Sequence, residues 1–344
     1  MNKNLTSRAT ITDVATQAGV SSGTVSRVIN NDVHVKPETR ERVLEVMNRL
    51  GFVANRQARS LAGGRMNIIG VLVPDLGTGY IGEIIRGIDM ELGLTALDLI
   101  LYTTHRTPSK EANYVANLAE GMVDGLLLVL PRSPADYIGT LTRRSFPFVL
   151  IDHQGTGKDC PAVGATNWQG AYNATEFLIK LGHTRIGFIT GSMDLGCAQD
   201  RLAGYRSALR THHIPESPEL EYVGGFFQPD GYAGASVFLD LAAPPTAIFA
   251  SNDVMAMGVM DAVRHRGLRV PDDISVVGFD NVPQSAVVFP PLTTVQQPLE
   301  QMGRVAAQML LGILKAPEDI AVRIELPTEL IVRSSTSAPK DRAG

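Results

Sequence analysis

Within nine residues, Ser22, Gly23, Ser26, Arg27 and Asn30 share one face of a short helical stretch whose other face is Val25, Val28 and Ile29. Hydroxyls, an amide and one guanidinium are hydrogen-bonding groups without a nucleophile among them. Such a helix suits the ~12 Å wide major groove of duplex DNA, where its first residues meet base edges and its flanks meet phosphates. Nothing else along the chain promises covalent chemistry: a Walker glycine-lysine loop and HExxH are missing, and the one GxSxG match, Gly19 to Gly23, lies between two short helices and not at the strand-to-helix turn a nucleophile needs. Gly77, Gly79 and Gly82 satisfy GxGxxG, but Pro74, Asp75 and Leu76 separate them from the preceding strand. The next strand then runs into Tyr102, Thr103 and Thr104 where a dinucleotide ribose requires an acidic residue. His183, His212 and His213 read as helix-terminal or surface residues. Cys160 and Cys197 stand alone, with no CxxC or Cys/His cluster, so they read as plain buried thiols in a chain with neither disulfide framework nor zinc site. Neither an enzyme nor a cofactor is expected.

Charge points the same way. Residues 1–65 hold ten Lys/Arg against five Asp/Glu, a net of +5, so the rest of the chain carries −9 within an overall −4. A basic N-terminal module on an acidic body directs only that module to a polyanion, because neutralising phosphates supplies most of non-specific DNA affinity.

Three short helices must position these groups. Thr10 and Asp13 have capping-box spacing, and Ile11, Val14, Ala15 and Ala18 repeat on one face behind them. Gly19 can end that helix in the left-handed conformation, Val20 can turn inward, and Ser21 can cap the second helix, which is expected to run through Asn30. A third helix opens at Pro37, buries Val43, Val46, Met47 and Leu50, and closes at Gly51.

The run TITDVATQAGVSSGTVSRVINNDVHVKPETRERVLEVMNRLGFVANRQARSL, Thr10 to Leu61, resembles the DNA-binding headpiece of the lactose repressor/galactose repressor (LacI-type) family. The resemblance implies base reading by Ser22 and Gly23, with Thr10, Thr24, Arg27, Asn30 and His34 at base- or phosphate-contacting positions. Gly23 departs from the pattern by having no side chain to read with. That leaves close backbone approach, or discrimination by Ser22 and Arg27. The segment Asn55 to Leu61, with Ala58 inside it and Gly63–Gly64 behind it, is similar to the family hinge that becomes helical on the operator. Leu61 matches the apolar wedge that enters the minor groove and kinks the central step. So short a helix before two glycines is marginal by itself.

From Asn67 the pattern alternates strand and helix. Ile68 to Val73, Leu97 to Tyr102, Gly125 to Leu130 and Phe148 to Ile151 read as buried parallel strands, with Ile81, Ile84, Ile85, Ile88 and Leu92 at helix spacing between the first two. A second series, Ile186 to Ile189, Tyr222 to Val223, Ala247 to Ala250 and Ile274 to Gly278, repeats the pattern. Two series imply two doubly wound lobes, with ligand outside the carboxyl ends of their strands. This half resembles the family sensor, a type I periplasmic-binding-protein-like fold, most clearly in RIGFIT, PPTAIFASNDVMAMGVM, VPDDISVVGFDN and PPLTTVQQP. The resemblance covers essentially the whole chain. It implies an effector pocket lined by Tyr80, Asp152, Asn167, Trp168, Arg201, Phe226, Asn252 and Asp280, with Asp253, Phe279 and Gln296 as weaker members. Carboxylates, amides and an arginine bind vicinal hydroxyls, and Trp168 and Phe226 can cover an apolar sugar face. A mono- or oligosaccharide is therefore expected, with a nucleobase or nucleoside as the alternative.

The expected layout is an all-α helix-turn-helix headpiece over 1–52, a hinge over 53–66, an α/β effector and dimerisation domain over 67–337 and a tail over 338–344. Lobe 1 is placed at 67–166 and 293–325, lobe 2 at 167–292 and 326–337. The expected partners are a pseudo-palindromic duplex operator, a small-molecule effector and a second copy of the chain. No tetramer is expected, because Ser334 to Gly344 contains no Leu, Ile or Val for a heptad seam. Apolar runs such as Gly125 to Leu130 fall far short of the ~20 residues a membrane span needs, and the first 30 residues lack a signal-peptide core, so a cytoplasmic protein is expected.

Overall fold

The computed structural model describes residues 9–29, 32–52, 65–77, 79–132, 134–153, 160–316 and 323–340. They form two units, one up to Met66 and one from Asn67 onward. In the first, α1 (Ile11–Ala18), α2 (Ser22–Ile29) and α3 (Pro37–Leu50) surround one small core. Its fully buried members include Val14, Val25, Val28, Val43 and Val46. The caps form as the sequence implies. Thr10 and Asp13 complete a capping box, Gly19 takes φ +63° and Gly51 φ +60°. The Thr24 amide donates to Ser21 Oγ at 3.1 Å.

The second unit holds two six-stranded sheets. The first lobe is laid down by β1 (Ile68–Val73), α4 (Gly79–Leu92), β2 (Asp98–Thr103), α5 (Pro108–Ala119), β3 (Gly125–Val129), α6 (Ala135–Arg143), β4 (Phe148–Ile151) and β5 (Ala162–Ala165). The second follows as α7 (Asn167–Lys180), β6 (Ile186–Thr190), α8 (Gly196–Thr211), β7 (Glu221–Val223), α9 (Gln228–Leu239), β8 (Ala247–Ala250), α10 (Asp253–His265), β9 (Ser275–Asp280), α11 (Gln284–Val287) and β10 (Thr293–Gln296). The chain then returns to the first lobe as α12 (Leu299–Lys315) and β11 (Arg323–Leu326), and ends in the second as β12 (Glu329–Ile331). The sheet orders are β11-β5-β4-β3-β1-β2 and β12-β10-β9-β8-β6-β7. All pairings are parallel except β10 with β12.

This corrects the lobe boundary expected at 293. β10 pairs in parallel with β9 and buries Val295 in the second lobe's core, so the return begins only at α12, whose Met302, Ala306 and Leu310 join the first lobe's core. β11 likewise carries the first lobe to Leu326, one residue past the expected boundary at 325. The strand expected from Ile274 begins at Ser275 and extends to Asp280, bringing that carboxylate to the strand's very end.

Within each lobe, helices approach at glycines. A Cβ on Gly87 would lie 1.9 Å from the Glu300 carbonyl oxygen, and one on Gly303 2.1 Å from that of Ile84, so α4 and α12 meet backbone to backbone. Gly231 and Gly258 repeat the device between α9 and α10, at 1.9 and 2.1 Å from the carbonyls of Met255 and Gln228. The crossings between lobes are tied together. Thr166 Oγ1 accepts from the Thr328 amide at 3.0 Å, and the Thr166 amide donates to the Leu326 carbonyl at 3.0 Å.

Candidate functional site

In the headpiece, Ser21, Ser22, Gly23 and Arg27 are exposed, while Thr24 and Ser26 are half-buried. The α2 face that should meet DNA therefore carries short side chains and one guanidinium. A Cβ on Gly23 would find only Ser21 Oγ, at 3.6 Å, so packing does not require glycine there. Thr10, at the α1 cap, is exposed. So is His34, whose ring is oriented by Asp32 at 2.9 Å. Asn30, Asn55, Ala58, Leu61, Gly63 and Gly64 lie outside the described residues, as does the expected last residue of the second helix.

The second unit has a cleft at the carboxyl ends of both sheets, with about 40 Å³ of free space between its walls. Its walls bring together Tyr80, Asp152, Arg201, Phe226, Asn252 and Asp280. Asp152 and Asp280 arrive directly at the ends of β4 and β9. Five wall residues hold positive φ: Arg106 (+57°), Leu130 (+48°), Asp152 (+54°), Phe226 (+74°) and Asp280 (+110°). Each left-handed non-glycine residue costs of order 1–3 kcal/mol, and such strain concentrates where a side chain must be aimed.

Arg201 is the hub. Only 2% exposed on α8, it donates from Nε to Asn167 Oδ1 (2.8 Å) and from Nη1 to the Ser251 carbonyl (2.5 Å), and faces Asp280 Oδ1 at 3.4 Å. Its guanidinium lies 3.8 Å from the centre of the Phe279 ring. Burial alone would depress its pKa, but the Asp280 and Asp152 carboxylates outweigh that and hold it above the usual value. Burial pushes the Asp280 carboxyl up to about 7, although Arg201 and the Gln297 amide, which donates at 2.7 Å, favour the ion. Asp152 accepts from the Tyr80 hydroxyl at 2.7 Å and from Asn167 Nδ2 at 3.3 Å. Beside this network, Ser251 Oγ and Gln297 Oε1 are buried without a hydrogen-bond partner among the described residues. A buried polar atom left unpaired is costly, and neither residue lines the cleft itself.

Other expected pocket residues sit elsewhere. Trp168 is 39% exposed and stacks on Tyr172 one turn further along α7, with ring centres 5.3 Å apart, and it does not line the cleft. With the residue at the second position of α7 outside the lining, Tyr80 and Phe226 are the aromatic side chains of the wall. Asn167 stands behind the wall, holding Asp152 and Arg201. Asn252 combines lining with capping: its Oδ1 accepts from the Met255 amide at 2.9 Å. Asp253 is a fold residue, accepting from the Val282 amide and the Thr294 hydroxyl, and burial raises its pKa well above the usual carboxylate range. Phe279 backs Arg201. Gln296 faces Asn281, whereas its neighbour Gln297 reaches Asp280. His183 is buried, not superficial, and clips Thr246 to the Ser337 carbonyl. Cys197 is a buried thiol of the cleft wall; Cys160 is only half-buried.

Asp75, Arg106 and Arg132 also line the cleft and were missed by the sequence reading. All three follow the carboxyl ends of β1, β2 and β3 by two or three residues, and that position was the available signal.

The family described as bacterial regulatory proteins, lacI family, matches residues 10–55, and the periplasmic binding protein-like domain matches 175–336. The transcriptional regulator DegA of Bacillus subtilis is 36% identical over 96% of this chain and 98% of its own. Catabolite control protein A of Priestia megaterium is 33% identical over 95% and 99%. The chain belongs to the LacI family. The Lac repressor dimer bound to operator and the anti-inducer ONPF superposes with a TM-score of 0.84 at 30% identity, covering 96% of this chain and 99% of that one. A complex of the regulator CelR with cellobiose gives 0.74 at 32% identity over 95% and 100%. This LacI-family protein is thus a ligand-responsive transcriptional regulator that binds operator DNA and a small-molecule effector, not an enzyme. Among the described residues, no helix is long and apolar enough to cross a membrane.

Proposed function

We propose that the protein is a cytoplasmic, dimeric repressor of a carbohydrate-utilisation operon that leaves its operator when a sugar occupies the cleft. The observation that carries this reading is the polar chain Tyr80–Asp152–Asn167–Arg201–Asp280 beside the Phe226 ring. Donors and acceptors in alternation match the bidirectional hydrogen bonding of sugar hydroxyls, and an aromatic wall covers the apolar ring face. The CelR–cellobiose complex and a ribose-bound LacI-family regulator from Enterococcus faecium support the class. A nucleobase is the second reading, favoured by relatives named transcriptional repressor PurR, such as that of Mannheimia succiniciproducens, 34% identical over 95% of this chain.

The dimer reading draws support from the Lac repressor dimer, with which the chain superposes along nearly its whole length. Calorimetry of pentoses, hexoses, disaccharides and purines against the full chain, followed by operator titration with each binder, tests the proposal. A sugar that binds and releases the operator is the expected result; purines binding to the exclusion of carbohydrates would replace the effector class and leave the regulator. Leu61→Ala should weaken operator binding strongly while effector affinity stays nearly constant, since the hinge serves DNA alone. Equal losses in both would make Leu61 a folding residue.

A further inference from the structure

On the more exposed part of the cleft wall, where Arg106 and Arg132 are 20% and 15% exposed against 2% for Arg201, two arginines of the first lobe cross to the second. Arg132, three residues past β3, pairs with Asp194, which follows β6. It is held from behind: Glu111 Oε2 accepts from the Arg132 amide at 3.1 Å, and Glu111 Oε1 from the Tyr137 hydroxyl at 2.6 Å. Asp194 is held too, by the Ser192 hydroxyl at 2.5 Å. Arg106, three residues past β2, donates from Nε to Asp75 at 2.7 Å and from Nη1 to the Gly225 carbonyl at 3.3 Å, and lies 4.1 Å from the centre of the Phe227 ring. Asp75 and Arg106 belong to the first lobe, Gly225 and Phe227 to the second. These two clasps share the wall of the cleft with Arg201 and Asp280.

Resting on the small-molecule reading above, we propose that Arg106 and Arg132 are specificity-determining gate residues that confine the cleft to an uncharged ligand one unit long, a single sugar residue or a single nucleobase. Two physical points combine. Each guanidinium lining the cleft already faces a carboxylate of the protein: Arg106 with Asp75, Arg132 with Asp194, Arg201 with Asp280. A phosphate or carboxylate on the ligand therefore gains no free cation and must compete with an ion pair already formed. A second unit extending from the inner network toward the more exposed part of the wall must pass between the lobes where the clasps close, breaking at least one charge-assisted contact. The gate thus sets ligand length and charge, while the inner network sets ring chemistry. Glu111 is the positioning residue, fixing the backbone from which Arg132 crosses.

Calorimetry on the full chain should show a pentose or hexose bound at least roughly tenfold more tightly than a disaccharide containing it or its phosphate ester, and Arg132→Ala should reduce that preference by about the same factor. Glu111→Gln, which keeps shape and one acceptor, should shift the preference in the same direction by less. If purines prove to be the effectors, the same comparison runs between nucleobase, nucleoside and nucleotide, so the gate can stand when the sugar reading falls. A wild-type protein that prefers the disaccharide, the nucleoside or a phosphorylated compound overturns it, as does a preference unmoved by Arg132→Ala. Hydrogen exchange supplies a test without ligand. Segments 191–195 and 224–228 should exchange faster in an Arg106→Ala/Arg132→Ala variant whose melting temperature is otherwise retained, and unchanged exchange shows that the clasps do not hold the lobes.

Discussion

Arg201 Nε donates to Asn167 Oδ1 at 2.8 Å, and Asn167 passes the connection on to Asp152 through Nδ2. Asn167 is the first residue of α7, directly after the first crossing between lobes. One amide thus joins the cation of the second lobe to a carboxylate of the first.

Removing the cation should therefore unsettle both lobes. Arg201→Ala leaves Asp280 buried against an empty partner, and loss of one member of a buried ion pair typically costs about 3–5 kcal/mol. Urea unfolding of the sensor should show that loss, and adding Asp280→Asn should recover part of it. Additive losses would mean that the two residues act independently.

The raised Asp280 carboxyl gives a defined pH signature. Its folded value near 7 lies above the ordinary 3.8, so its contribution to stability is present in acid and disappears as pH rises through 7. His153 and His183, both lowered by burial, act in the opposite sense, losing stability as pH falls below 6.5. Comparison with Asp280→Asn isolates the carboxyl: the melting temperature of the wild type relative to the variant should fall between pH 5.5 and 8. Ligand hydroxyls favour the ionised carboxylate, so effector affinity should weaken below pH 7 in the wild type and stay flat there in the variant.

Trp168→Phe should leave effector affinity within about twofold, because the indole stacks on Tyr172 outside the cleft. Phe226→Ala should weaken it at least tenfold, on the order of 1.4 kcal/mol. Calorimetry of both variants decides between the two aromatics, and the reverse ranking would restore Trp168 to the site.

The vacancy at Gly23 predicts a gain of operator specificity. Gly23→Gln fits sterically and adds an amide able to pair with adenine, so operator selection should sharpen at one base pair per half-site by about 1–3 kcal/mol, with phosphate contacts unchanged. Selected sequences identical to those of the wild type would place this face of α2 away from base edges.

The headpiece was legible because its signals are local: Thr10–Asp13, Gly19, Ser21, Pro37 and Gly51 each act within four residues, and each does in the structure what its chemistry implies. The sensor was legible as far as strand ends, which placed Asp152 and Asp280. What escaped depends on direction and on distant pairing. Whether Trp168 turns into the cleft is decided by Tyr172 on the same helix, and whether Gln296 or Gln297 reaches Asp280 by the pairing of β10 with β9. Arg106 and Arg132 carry no motif, and their importance arises only from residues 119 and 62 positions away, across the cleft.

The glycine notches between α4 and α12 and between α9 and α10 have a mechanical consequence. Helices that touch through backbone cannot slide without collision, so each lobe behaves as a stiff block, and compliance is left to the three strands of chain around Thr166, Gln297 and Thr328. A sensor built this way transmits a displacement rather than a deformation. The distance moved at the cleft mouth is set by leverage about those crossings, and changing a single crossing residue should retune the amplitude of the response without altering what the cleft recognises.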